Sequence, residues 1–225
     1  MKTISKTLYF VTLSLLWSDT QAEKSEERLF ERAQKNEKGR FLNLAGELSQ
    51  GDIAVRIPFM LRRFGTYFRD GEGAPSLTGT VHEKPVSAIE NSASVTWIGH
   101  ATVLVEMKQI TILTDPMWSD WPSPVPFIGP RRYVPPGVLI KDLPPIDVVL
   151  ISHNHFDHLD LPSLKKLSSR DLNTQFLVPL GNAELLLQHG ITNVQELDWG
   201  DRVTVNGASV ICLPSQPWSK RKLTD

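Results

Sequence analysis

From Ser94 onward the chain alternates between short apolar runs and turn signals. Ser94–Gly99, Thr102–Met107 and Ile110–Thr114 predict three strands joined as hairpins, with turns at Gly99-His100 and Lys108-Gln109. Asp147–Ser152 (DVVLIS) is a continuous apolar run, the pattern of a strand buried on both faces. After it, Leu161–Leu167 predicts a helix, Gln175–Pro179 a strand, and Asn182–His189 a helix ended by Gly190. Asn193–Leu197, Arg202–Val205 and Ala208–Leu213 complete the set as strands. Hairpins first, then strands alternating with helices, predict an α/β fold: a mixed sheet with helices on one face. Between the two halves, Pro116 to Pro145 holds nine of the sixteen prolines. Proline lacks a backbone donor, so this segment predicts a long, stiff surface loop, not interior sheet.

The first 93 residues follow a different pattern. Lys2 and Lys6 precede an apolar run from Leu8 to Trp17, then small and polar residues up to Ala22. That order reads as a secretory signal over 1–22 and implies export, to a periplasm or outside the cell. The alternative is a buried or interfacial N-terminal helix. Residues 23–93 read as an extension and linker. Within them, 23–38 predicts a charged, solvated helix with a thin docking stripe (Leu29, Phe30, Ala33) ended by Gly39. Ile53–Phe68 mixes aromatics with Arg56, Arg62 and Arg63; it is either a helix packed on the domain or an element in peripheral contact with lipid. Gly65 and Pro58 speak against a long amphipathic helix there. Residues 70–93 read as a connecting loop, leaving 94–225 as the main domain.

A formal net charge of −1 provides no global attraction to nucleic acid or to an anionic membrane. No nucleic-acid partner is expected, and oligomeric state is not readable. The single cysteine, Cys212, excludes an internal disulfide and reads as a small buried hydrophobe in a strand.

The chemistry is concentrated in SHNHFDHLD, directly after the buried strand. His153 and His155, two apart in extended backbone, point to the same side and can reach one metal ion. A turn into helix can bring Asp157 and His158 to a second. Imidazole suits zinc and iron, and carboxylate with imidazole suits zinc, manganese or iron. Three histidines and an aspartate in six residues are hard to explain as packing. Two adjacent ions suit hydrolysis of an ester-like bond.

The run HxHxDH after a strand resembles the signature of metallo-β-lactamase-fold hydrolases. WIGHATVLVE (97–106), ILTDP (112–116), GPRRY (129–133), LPPIDVVLISHNHFDHLD (143–160), VPLG (178–181), ELDW (196–199) and LPSQPWSKRKL (213–223) together resemble the N-acyl phosphatidylethanolamine phospholipase D branch and its bacterial relatives. The resemblance runs from about Arg40 to the last residue. It implies an αββα sandwich, represented here by its N-terminal half plus an N-terminal extension. It also implies two zinc ions, or other divalent metals, with His153 and His155 on the first and Asp157 and His158 on the second. Asp157 is then both ligand and catalytic residue, and Asp115 orients ligands through hydrogen bonds. Asp115 is equally readable as a strand-end turn former ahead of Pro116. His100 reads as a pocket-lining or structural residue and not as a ligand. Arg131 and Arg132 favour an anionic substrate weakly, since guanidinium forks suit phosphate.

Two departures from the family pattern stand out. Pro217 occupies the position where relatives supply a histidine ligand, and the chain ends at Asp225, before the family's later aspartate and final histidine. This implies two protein ligands per ion, where catalytic zinc has three, and a sheet whose inner face lacks its partner layer. The expected activity is phosphodiester hydrolysis of N-acyl phosphatidylethanolamine or a related lipid through a metal-bound hydroxide. The alternatives are a catalytically incomplete fragment of such an enzyme, or a small-ester or lactone hydrolase of the same fold.

Overall fold

The computed structural model describes residues 31–37, 39–42, 54–55, 57–59, 61–62, 65, 93–124, 131–132 and 134–215. The signal-like segment 1–22, the linker over 70–92 and Pro217 lie outside the described residues. Six strands form one mixed sheet in the order of the sequence: β1 (Ser94–Gly99), β2 (Thr102–Met107), β3 (Ile110–Thr114), β4 (Val148–Leu150), β5 (Gln175–Pro179) and β6 (Val194–Leu197). The first three pair antiparallel, and β3 through β6 pair parallel. Only β2 therefore runs against the rest, so the segments following β1, β3, β4, β5 and β6 all emerge at one edge of the sheet. Ligands in open α/β sheets bind at this carboxyl edge.

Two helices return the parallel strands: α1 (Leu161–Arg170) between β4 and β5, and α2 (Ala183–Gln188) between β5 and β6. Both lie on one face, as the alternation predicted. Leu164 and Leu167 of α1 and Leu186 of α2 share a buried cluster with Ile98, Leu104, Leu113, Val149, Phe176 and Val178. The opposite face holds Ile110, Ile112, Val148, Leu177 and Leu197, covered by a hairpin of β7 (Arg202–Val205) and β8 (Ala208–Ile211) through Val210, Val203 and Val205. Its Asn206-Gly207 turn has both residues at positive φ, the conformation this dipeptide favours in hairpins. Asp147 ties it down, accepting from Asn206 Nδ2 at 2.8 Å and from Thr111 N at 2.7 Å. The expectation of a bare inner face is thus corrected for the centre of the sheet. At its β1 margin Val95 and Trp97 remain 68% and 67% exposed.

The proline-dense connection from β3 to β4 carries no strand or helix among its described residues except a 3₁₀ turn, Ile140–Asp142. It is nevertheless packed. Trp118 donates from Nε1 to Val138 O, and Gly137 N donates to Ile98 O. Asp160, buried at the start of α1, accepts Trp118 N, Ser119 N, Ser119 Oγ and Ser163 Oγ, at 3.3, 3.1, 2.8 and 2.5 Å. A buried carboxylate is tolerated when its lone pairs are filled in this way.

One N-terminal expectation is revised. Residues 31–37 are not helical: Gly39, at φ 74°, turns the chain so that Lys35 bridges to Phe41, its ammonium 4.5 Å from the ring centre. Ala33 N instead donates to Asp198 Oδ1. The described positions at 54–55, 57–59, 61–62 and 65 are helical, Pro58 and Gly65 included, with Val55, Ile57, Phe59 and Leu61 exposed. Among the described residues no helix is long and apolar enough to cross a membrane.

The burial pattern sets the expected cost of truncation. Phe176→Ala empties the centre of the helix-side core and should destabilise the fold by about 3–5 kcal/mol. Val95→Ala on the exposed margin should change stability by no more than about 0.5 kcal/mol. Urea unfolding of the two variants checks the contrast.

Candidate metal centre

The carboxyl edge gathers side chains that are far apart in sequence. Asp115, at φ 38° just past β3, donates its backbone N–H to Leu150 O of β4 at 2.8 Å. Its own carbonyl accepts from the buried Thr102 Oγ1 at 2.7 Å, and that hydroxyl accepts Met117 N at 3.1 Å. The turn is locked from below, which holds a non-glycine residue in the left-handed region. Its carboxylate then faces the end of β4. Oδ1 accepts Ser152 N at 2.7 Å, and Oδ2 accepts both Ser152 Oγ and His158 Nδ1 at 2.8 Å.

These bonds assign the tautomers. Ser152 has one hydroxyl proton and donates it to Asp115, so at 2.9 Å it accepts from His153 Nδ1. His153 is then protonated on Nδ1 and presents a lone pair on Nε2, which lies 2.9 Å from His155 Nδ1. His158 likewise donates from Nδ1, which leaves Nε2 available 3.8 Å from Asp157 Oδ2. A carboxylate holding the far nitrogen of an imidazole is the arrangement that fixes metal-ligating histidines. The two expected pairs thus lie side by side, with the His153 and His158 ring centres 4.0 Å apart. The reverse turn that brings them together is closed by His158 N and Leu159 N on His155 O, with Leu159 fully buried as its anchor.

The electrostatics follow from this packing. Burial, reinforced by His158 and His155, lowers the His153 imidazole to about 4. His155 is lowered, chiefly by burial. For His158 burial also pulls downward, but the Asp115 hydrogen bond and the Asp115 and Asp157 charges together outweigh it and raise the ring. Asp157 is held down at about 2, first by its hydrogen bond to His100. At neutral pH His153 is therefore an uncharged nitrogen donor and Asp157 an ionised oxygen donor, the states in which such groups bind cations. Nitrogen and carboxylate donors of this kind fit a borderline divalent ion such as zinc, iron or manganese.

Two participants were not assigned to the site from sequence. Ser152 relays Asp115 to His153, and nothing in the linear pattern marks it beyond its place before the histidines. His100, in the β1–β2 turn, lies with Nε2 2.9 Å from Asp157 Oδ2. Among the described residues, the one group of three mutually close donors is His100, Asp157 and His158. The arginines of GPRRY are placed differently. Arg132 is half-buried and donates from Nη2 to Met117 O, and burial lowers its guanidinium. Its Nη1 sits where a side chain on Gly99 would be, 2.9 Å from that added Cβ. Arg132 therefore supports the β1–β2 turn. Arg131 is exposed, its guanidinium 5.9 Å from the Trp121 ring centre. His189 caps its own helix through Leu185 O at 2.8 Å, and burial raises the Cys212 thiol to about 11. His82 lies outside the described residues.

A family model described as a beta-lactamase superfamily domain matches residues 111–225. The chain is 38% identical over 145 residues to N-acyl-phosphatidylethanolamine-hydrolyzing phospholipase D 1 of Caenorhabditis elegans, covering 60% of this chain and 41% of the relative. It is 34% identical over 150 residues to the mitochondrial N-acyl-phosphatidylethanolamine-hydrolyzing phospholipase D of Saccharomyces cerevisiae, covering 63% and 32%. A crystal structure of CmlA, a diiron beta-hydroxylase from Streptomyces venezuelae, overlays with a TM-score of 0.41 and 28% identity, covering 57% of this chain and 25% of its own. The chain spans less than half the length of these relatives.

In the metal-free chain, ring-by-ring NMR titration should show His153 protonating near pH 4 and His158 above its ordinary 6.5. Between about 4 and the ordinary 6.5 the unfolded chain binds a proton at His153 that the folded chain refuses, so this group makes stability rise with pH there. His158 acts with the opposite sign; its contribution is complete below 6.5 and is lost as pH rises through its raised value. Asp115→Asn removes the charge that raises His158, so the His158 midpoint should fall while that of His153 moves less.

Proposed function

This chain belongs to the β-lactamase superfamily and has the metallo-β-lactamase fold, and from that premise we propose that it is a divalent-metal-dependent hydrolase of the phospholipase D type, acting on a phosphodiester of a phospholipid. The observation that carries the reading is the pair of donor sets at the carboxyl edge: His153 Nε2 with His155 Nδ1, and Asp157 Oδ2 with His158 Nε2. Their tautomers are set for coordination by Ser152 and Asp115. The named relatives, both hydrolysing N-acyl-phosphatidylethanolamine, support the phosphodiester class.

In this reading His153 and His155 hold one ion, and Asp157 and His158 a second. Divalent ions in such sites supply Lewis acidity and lower the pKa of water to near neutral. The protein keeps the His153 imidazole neutral, aims His158 through Asp115, and holds the Asp157 carboxylate ionised. Asp115 fixes the tautomer of His158 and, through Ser152, of His153. The exposure of Arg131, near Trp121, supports contact with an anionic headgroup, a role that suits a guanidinium. The exposed apolar positions Val55, Ile57, Phe59 and Leu61 support contact with a lipid surface.

The test measures bound zinc, iron and manganese per chain, then hydrolysis of N-acyl phosphatidylethanolamine vesicles, a generic phosphodiester and a lactone. We expect His155→Ala to lower metal content, and chelation to abolish turnover of the phosphodiesters while the lactone stays uncleaved. A chain that binds no divalent ion, or hydrolysis indifferent to both chelator and His155→Ala, overturns the reading. Preferential lactone cleavage reassigns the substrate class.

A further inference from the structure

We infer that His100 is a third protein ligand for the ion held by Asp157 and His158. This rests on the metal reading above and adds to it a donor from a different part of the chain. The donor atoms of the three side chains all lie within 4.8 Å of one another. His100 Nε2 is 2.9 Å from Asp157 Oδ2, and Asp157 Oδ2 is 3.8 Å from His158 Nε2. Zinc bonds of about 2.0–2.1 Å in a tetrahedron separate neighbouring ligand atoms by about 3.3 Å. The two observed spacings straddle that value, so small side-chain adjustments close the set around one ion.

The backbone beneath His100 is built to aim it. His100 sits at φ 52°, a left-handed conformation that histidine tolerates better than most residues. Five contacts hold the turn. Trp97 Nε1 donates to His100 O at 2.9 Å, and Thr114 Oγ1 donates to Ala101 O at 2.8 Å. Thr114 Oγ1 also accepts Val103 N, and Gly137 N donates to Ile98 O. Arg132 packs against Gly99, whose φ of 145° and missing side chain leave room for the guanidinium. A turn fixed from both neighbouring strands and from the proline loop positions an imidazole more firmly than a surface hydrogen bond requires.

The rival role is positioning alone, with His100 donating its Nε2 proton to Asp157. The two roles make opposite demands on one atom. As a hydrogen-bond donor His100 keeps a proton on Nε2 when metal binds. As a ligand it must give that nitrogen's lone pair to the ion, so the proton moves to Nδ1 or is released.

The test titrates the full chain, labelled with 15N-histidine, with zinc and follows the ring nitrogens. We expect the His100 Nε2–H correlation to vanish and its nitrogen to shift on binding. In parallel, zinc affinity by competition with a chromophoric chelator is compared for native, His100→Ala and His100→Gln chains. Glutamine can donate to Asp157 from nearly the same place but offers no imidazole lone pair. The ligand role predicts that both variants lose affinity for one ion by more than the roughly 10–100-fold that loss of a hydrogen-bond partner behind a ligand costs. Retention of the Nε2–H signal with zinc bound, or near-native affinity in His100→Gln, overturns the inference while leaving the metal reading intact. Absence of zinc binding by the native chain overturns both.

Discussion

The site depends on one buried carboxylate. Asp115 joins the ends of two parallel strands by accepting Ser152 N, Ser152 Oγ and His158 Nδ1, while its own backbone is bolted to Leu150 and Thr102. A buried charge costs several kcal/mol unless its lone pairs are filled. Here the bonds that fill them also orient His158 directly and His153 through Ser152. The electrostatic needs of the fold and those of the site are met by the same atoms, so the histidines are not free to reorient without uncovering that charge.

A second carboxylate does for the loop what Asp115 does for the strand ends. Asp160 gathers four donors from the start of the proline segment and from α1. Prolines deprive that segment of backbone donors and so of a regular ladder. Its order comes instead from Trp118, Val138 and Arg132 packing onto the β1 end of the sheet. The two arginines of GPRRY thereby differ in setting. One arginine is consumed in supporting the turn that carries His100, and the other is left at the surface.

The two donor pairs are not equivalent. His153 meets His155 and is backed by Ser152, whereas Asp157 and His158 have His100 in reach. The ligand count inferred from the motif alone, two per ion, treats the pairs as alike. The β1–β2 turn breaks that symmetry, because its direction in the sheet delivers His100 to the same edge as β4.

Much of the local structure was legible in the order of residues. Ser94–Gly99, Thr102–Met107, Ile110–Thr114, Gln175–Pro179 and Arg202–Val205 fold as strands over the spans that alternation and turn residues predict. The DVVLIS strand and the helix after Asp160 differ from prediction only at their ends. The cluster from His153 to His158 was legible for the same reason: its donors are near neighbours, and their spacing is a property of the backbone they share. What sequence could not decide is every contact that crosses from one strand end to another. His100 meets Asp157 across 57 positions and Asp115 meets His158 across 43. Such pairs exist because β2 alone runs against the other five strands, which places the ends of β1, β3 and β4 at one edge. Residue types and local periodicity specify which segments become strands. Strand order and direction, set by packing the two faces against the helices and the β7–β8 hairpin, decide which side chains meet.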